Sequence, residues 1–210
     1  MKKTLILVSG KMQSGKNTFA DIVGDLLKTN YSVRYDLFAQ SLKDGVWKDF
    51  YSLHTFIYQQ YWKLPKEIRP QFEWMFIKQD DFYEKKTPYG RLLCQIYGTE
   101  IFRDKVDELY WVKTVEKRFN EQSEDLCIVT DVRFPNEIEY FRSLGYNVIT
   151  VRVSRNGKKD GAFNEEHFSE KALDDYSEFD WNIDNSGSLE ELKEKALNFC
   201  NSIEDKNAVL

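Results

Sequence analysis

The stretch Leu5–Lys16 constrains this chain more than any other. A continuous apolar run, Leu5-Ile6-Leu7-Val8, leads into Gly10-x-x-x-x-Gly15-Lys16. Beyond it, Phe19, Ile22, Val23, Leu26 and Leu27 fall on one face of a helix. An unbroken apolar run reads as a strand buried on both faces. Strand, glycine loop and helix in that order make a loop that wraps a chain of phosphates. The glycines let the backbone N–H groups turn inward, the helix start adds its positive dipole end, and the lysine brings a mobile charge. The ligand implied is a nucleoside triphosphate. Ser or Thr usually follows the lysine and reaches Mg²⁺ with its hydroxyl; here Asn17 stands there, with Thr18 next.

A chain of 210 residues is long enough for one α/β domain with inserted segments. The net charge of −5 argues against a surface built for polymeric nucleic acid, which is usually basic. No window approaches the roughly 20 apolar residues of a membrane span. Met1–Val8 resembles a leader, but its apolar core is short and Lys11 interrupts it, so it reads as the first strand. Cys94, Cys127 and Cys200 are odd in number, far apart and set among apolar neighbours, as expected of reduced core thiols. The expected location is the cytoplasm.

Further strands are expected at Ser32–Phe38, Leu126–Thr130, Asn147–Val153 and Asp180–Ile183. Residues 41–62 and 71–120 read as helices, the former rich in aromatics, with Pro65 and Pro70 breaking the pattern between them. A short helix is expected at Glu137–Leu144, with Gly145 at its end. A last helix should start at the capping box Ser188/Glu191, with Leu189, Leu192, Ala196, Phe199 and Ile203 on its apolar face. Alternation of strand and helix implies a three-layer α/β fold, a central parallel sheet with helices on both faces. The expected division of this single domain 1–210 is a core of 1–40, 121–153 and 178–205. Residues 41–120 form a helical acceptor-binding insertion in that division, and 154–177 a lid region.

Asp131, at the end of a buried strand, is placed to hold Mg²⁺ directly or through water. Arg133 emerges near the same edge with a guanidinium fork matched to phosphate. The polar, basic run Ser154–Gly161 reads as a mobile loop that could close over the reaction and deliver Arg155. His167 has no spacing that recommends it as a base and reads as structural.

These pieces resemble a family, the deoxynucleoside monophosphate kinases of tailed phages, within the wider P-loop kinases. The resemblance runs through Ser9–Thr18, Phe38-Ala39 with Leu42-Lys43, Gln95-x-x-Gly98-Thr99-Glu100 with Arg103 and Trp111-Val112. It continues through Thr130–Arg133 with Phe134 and Asn136-Glu137, His167-x-Ser169-Glu170, and Asn182–Asn185 with Gly187-Ser188-Leu189. It implies transfer of the ATP γ-phosphate to a deoxynucleoside 5′-monophosphate with Mg²⁺. Carried over by position, Gly10, Ser14, Gly15, Lys16, Asn17 and Thr18 belong to the ATP site. Asn185 and Gly187 look like the turn at adenine. Lys43, Arg103 and Arg133 become candidates for the acceptor phosphate, joined by Arg91 and by Gln95 as reader of the base. The catalytic set is Lys16, Asp131, Arg133 and Arg155; the metal set is Asp131 and Asn17. Asn17 replaces the family's usual Asp, which removes a negative charge beside the metal. Two alternatives stay open: a kinase of another small acceptor such as dephospho-coenzyme A, or an NTPase or switch in which Glu137 orients water. A homodimer is compatible with the sequence.

Overall fold

The computed structural model describes residues 3–70, 82–83, 88–156 and 168–208. The chain forms two compact units, one of Met1–Phe38 with Val112–Leu210, the other of Ala39–Trp111.

The first unit is built on a five-stranded sheet in the order β2-β3-β1-β4-β5. The strands are β1 (Thr4–Ser9), β2 (Val33–Asp36), β3 (Leu126–Val129), β4 (Asn147–Ser154) and β5 (Trp181–Asp184). Every pairing is parallel, with Leu5 opposite Cys127 and Val148, and Ser9 opposite Arg152. β1 is central and its six residues are all buried, as its uninterrupted apolar run requires.

Successive strand residues point to opposite faces, so each face has its own core. Ile6, Val8, Ile128, Val151, Val153 and Ile183 pack with α1 (Lys16–Leu27) and α7 (Leu189–Ala208). Phe19 of α1 meets Phe199 of α7 with ring centroids 5.6 Å apart. On the opposite side, α4 (Tyr110–Asn120) buries Val112, Val115 and Phe119, and α5 (Pro135–Ser143) buries Ile138 and Phe141; the one-turn α6 (Phe168–Lys171) precedes β5. The result is a three-layer α/β arrangement, with the glycine loop at the carboxyl end of the central strand.

Local signals set the helix ends. Glu191 N–H donates to Ser188 Oγ at 3.2 Å, the expected cap of α7. Gly145, at φ +80°, ends the turn after α5. Leu189 is 47% exposed, contrary to its expected place on the apolar face; as the first residue of α7 it lies at the helix's open end.

β2 leaves the first unit through a fixed exit. Asp36 is buried, and its Oδ1 accepts from Leu37 N–H at 2.7 Å. Arg118 of α4 grips both Asp36 oxygens, at 2.5 and 3.0 Å, and also donates to the Leu37 carbonyl at 3.1 Å. Arg34 adds a second guanidinium 3.2 Å from Asp36 Oδ2.

The second unit carries most of α2 (Phe38–Tyr61), then α3 (Pro88–Gln95), which runs directly into a π-helical segment, Ile96–Arg103. A Cβ on Gly98 would lie 2.8 Å from a Leu42 methyl, so α2 and the π segment pack backbone to side chain there. Trp111 Nε1 donates to the Gly98 carbonyl at 2.9 Å, and Tyr97, Phe102 and Tyr110 fill in around it. Segments wound as π-helices are frequent at functional sites.

Candidate active site

The glycine loop has the shape its sequence calls for. Gln13 and Gly15 adopt left-handed backbone angles, φ 60° and 89°, the conformation that aims successive N–H groups at one point. Ser14 N–H donates to the Lys11 carbonyl at 3.2 Å, and Lys16 Nζ reaches the same carbonyl at 3.1 Å. Gly15 caps α1 without a side-chain hydrogen bond, which leaves the helix start to backbone groups. Ser14 Oγ is buried and has no hydrogen-bond partner among the described residues. A buried hydroxyl in that state costs about 1–3 kcal/mol unless a ligand satisfies it.

Neighbouring segments hold the loop from outside. Asn185, just past β5, is buried, and its Nδ2 donates to the Ser14 carbonyl at 2.8 Å. A Cβ on Gly15 would collide with that same amide, and one on Gly10 would collide with the Val153 carbonyl. Asn185 N–H also donates to the Ser154 carbonyl at 2.7 Å, and Asn156 N–H to Ser186 Oγ at 2.8 Å. These bonds tie the end of β4 to the 185–187 turn. Gly187 lies in that turn, and a Cβ there would meet the Glu191 carboxylate.

A cavity of about 220 Å³ opens beside the loop, lined by Lys11–Ser14 on one side and Arg152–Asn156 on the other. Arg155 is exposed on its wall. Arg152 donates to Ser9 Oγ at 3.0 Å and to Asp174 Oδ1 at 3.0 Å, and lies over the Phe179 ring. Asp174 Oδ2 in turn pairs with Lys11 Nζ at 2.5 Å.

Asp131 lies two residues past β3, and its Oδ1 accepts from Phe38 N–H, the first residue of α2, at 2.9 Å. Arg133 is exposed; its N–H and that of Phe134 donate to Glu137 Oε2 at 2.8 and 3.1 Å. The Glu137 carboxylate is thus a buried cap of α5. Asn17 and Thr18 are exposed on the first turn of α1.

Three further candidates belong to the second unit. Lys43 Nζ donates to the Tyr83 carbonyl at 3.1 Å, and Arg103 Nη1 to the Glu108 carbonyl at 2.9 Å. Gln95 is buried at the end of α3, the helix that also carries Arg91. Lys158, Lys159 and His167 lie outside the described residues. Asp36, Arg118, Asp174 and the loop-holding bond of Asn185 are absent from the sequence reading. Each becomes visible only as a contact between distant segments.

Among the described residues no cluster of three or more His, Cys, Asp or Glu forms a metal cage. Asn17 and Asp131 instead offer hard oxygen donors. One carboxylate with substrate phosphates and water is the usual setting for Mg²⁺, and the donor types of these two residues suit it.

A central parallel sheet in this strand order, with a left-handed glycine loop running into the lysine of α1 at the end of β1, defines a P-loop α/β protein. The comparisons narrow the class: residues 59–196 match the family "Deoxynucleotide monophosphate kinase". The chain belongs to that family. It is 37% identical over 112 residues to the deoxynucleotide monophosphate kinase of Enterobacteria phage T4, covering 51% of this chain and 44% of that protein. It is 35% identical over 108 residues to the enzyme of the same name from Escherichia phage RB69, covering 50% and 42%. The deoxynucleoside-5′-monophosphate kinase of Escherichia phage T5 is 33% identical over 81 residues, covering 39% and 32%. The matches thus span less than half the length of these relatives.

Proposed function

We propose that this chain transfers the γ-phosphate of ATP to a deoxynucleoside 5′-monophosphate, giving ADP and the deoxynucleoside diphosphate. The observation that carries the reading is the buried Ser14 hydroxyl, without a partner among the described residues, inside a left-handed glycine loop in a chain of this family. The loop N–H groups and Ser14 Oγ bind the donor phosphates. Lys16 gives up the Lys11 carbonyl for the β- and γ-phosphates, where its charge follows the moving phosphoryl group.

The attacking oxygen belongs to a phosphate that is already anionic, so no strong general base is needed. The work is to bring two anions together and neutralise them. Arg133 and Arg155 supply guanidinium forks for that purpose, and Lys43, Arg91, Gln95 and Arg103 form the acceptor set. Asn185 supports the donor loop from behind, with Gly187 in the turn at adenine. Asp131 and Asn17, with water, would hold Mg²⁺, which would supply charge neutralisation on the donor phosphates. Glu137 is committed to capping α5, which favours the transferase over water activation by that residue. The proposed setting is the cytoplasm of an infected cell; among the described residues no helix is long and apolar enough to cross a membrane.

The test is ADP formation from Mg·ATP with dAMP, dGMP, dCMP, dTMP, their ribose counterparts and dephospho-coenzyme A as acceptors. ADP that appears only with deoxynucleotides, matched by the diphosphate, is the expected result. ADP formed equally without any acceptor would overturn the assignment in favour of an NTPase.

A further inference from the structure

Asp174 belongs to none of the sets above, yet it touches both flanks of the glycine loop. Its Oδ2 pairs with Lys11 Nζ at 2.5 Å, and its Oδ1 accepts from Arg152 Nη2 at 3.0 Å. Through Nη1 the same guanidinium donates to Ser9 Oγ at 3.0 Å. One carboxylate therefore links Ser9 and Lys11, the residues on either side of Gly10. Lys11 is also the residue whose carbonyl accepts from both Ser14 N–H and Lys16 Nζ. Asp174 itself is well held: Leu173 beside it is 3% exposed, and Asp174 N–H donates to the Lys171 carbonyl at 2.8 Å.

We infer that Asp174 is a positioning residue for the donor loop, acting through Lys11 and Arg152 to hold the Ser9–Lys11 entry in its phosphate-binding shape. The inference rests on the donor-site reading of the loop. The Lys11–Asp174 pair is 42% and 38% exposed, and an exposed ion pair adds little to folding stability. Its effect lies in geometry. A loop ordered before the ligand arrives does not lose that freedom on binding. Two cations against one carboxylate also leave the cavity wall with net positive charge toward a polyphosphate.

Titration calorimetry of Mg·ATP with the full chain, beside thermal unfolding without nucleotide, tests this. Asp174→Asn is expected to weaken ATP binding about 3–10-fold, with the melting temperature little changed. Asp174→Glu, which keeps the charge, should recover part of the loss. In a Lys11→Met background the same Asp174→Asn change should cost less, because part of its route is gone. ATP affinity within twofold of wild type in Asp174→Asn would overturn the inference while leaving the donor site intact. So would a loss of binding that merely follows a large fall in melting temperature. A wild-type chain that binds no ATP would overturn both the donor-site reading and this inference.

Discussion

Asn185 Nδ2 donates to the Ser14 carbonyl at 2.8 Å, joining the turn after the last strand to the loop after the first, 171 positions away. The bond is buried, and the amide fills the space a side chain at Gly15 would need. The glycine loop is therefore shaped from two sides, by its own left-handed residues and by a carboxamide braced against its back.

Replacing Asn185 with Ala should loosen the loop without dismantling the sheet. A buried carbonyl that loses its donor costs about 1–3 kcal/mol, so ATP affinity is expected to fall on the order of tenfold. Calorimetric titration of the variant with Mg·ATP checks this, and Gly15→Ala should be worse because it adds strain at φ 89°.

Lys16→Met removes the charge meant to follow the transferred phosphoryl group. Turnover is expected to drop by about 10³ or more, with an unchanged circular dichroism spectrum. Turnover within tenfold of wild type would remove Lys16 from the mechanism.

Arg118→Ala leaves the buried Asp36 carboxylate with Arg34 as its one guanidinium among the described residues, beside the Leu37 N–H. Breaking a buried pair costs about 3–5 kcal/mol; Arg118 is 26% exposed at its side chain, so the expected loss is nearer 2 kcal/mol. Urea denaturation reads it as a lower midpoint. Arg118→Lys should recover little, because a single ammonium cannot span both oxygens.

The cysteines give a prediction about pH. Burial, the largest cause, pushes the Cys127 thiol up to about 12, with Asp36 adding to it; burial likewise pushes Cys200 up to about 12. In the unfolded chain both ionise near 9. The native state thus keeps its protons where the unfolded state gives them up. The stability that these thiols contribute is complete below about 9 and declines as pH rises from there toward 12. Denaturation at pH 8 and pH 10 checks the sign. In the native protein at pH 8, N-ethylmaleimide should reach half-buried Cys94 first and spare Cys127 and Cys200.

The parts of this molecule that were legible in its sequence are those encoded over short distances. Leu5–Val8, Gly10, Gly15 and Lys16 announce the strand, loop and helix because the reason for each residue lies within a few positions of it. The Ser188/Glu191 cap and Gly145 are legible for the same reason. Asp36 and Arg118 show no local sign: an Asp at a strand end and an Arg in a helix are ordinary until the sheet places 82 positions of chain between bonded atoms. Asp174 is hidden in the same way, since its partners Lys11 and Arg152 lie on different strands' ends. Asn185 stands out through the family pattern of its turn, but its grip on Ser14 depends on β5 lying next to β4, which spacing along the chain does not reveal.

The Asp36–Arg118 clasp also bears on chain entropy. Arg118 holds the Leu37 carbonyl, so the point where the chain departs for residues 39–111 is fastened to the helix by which it returns. The two ends of that long excursion are thereby held close together by groups of the first unit. Closing such a stretch costs entropy that grows only slowly with its length, and the clasp meets that cost within the sheet unit.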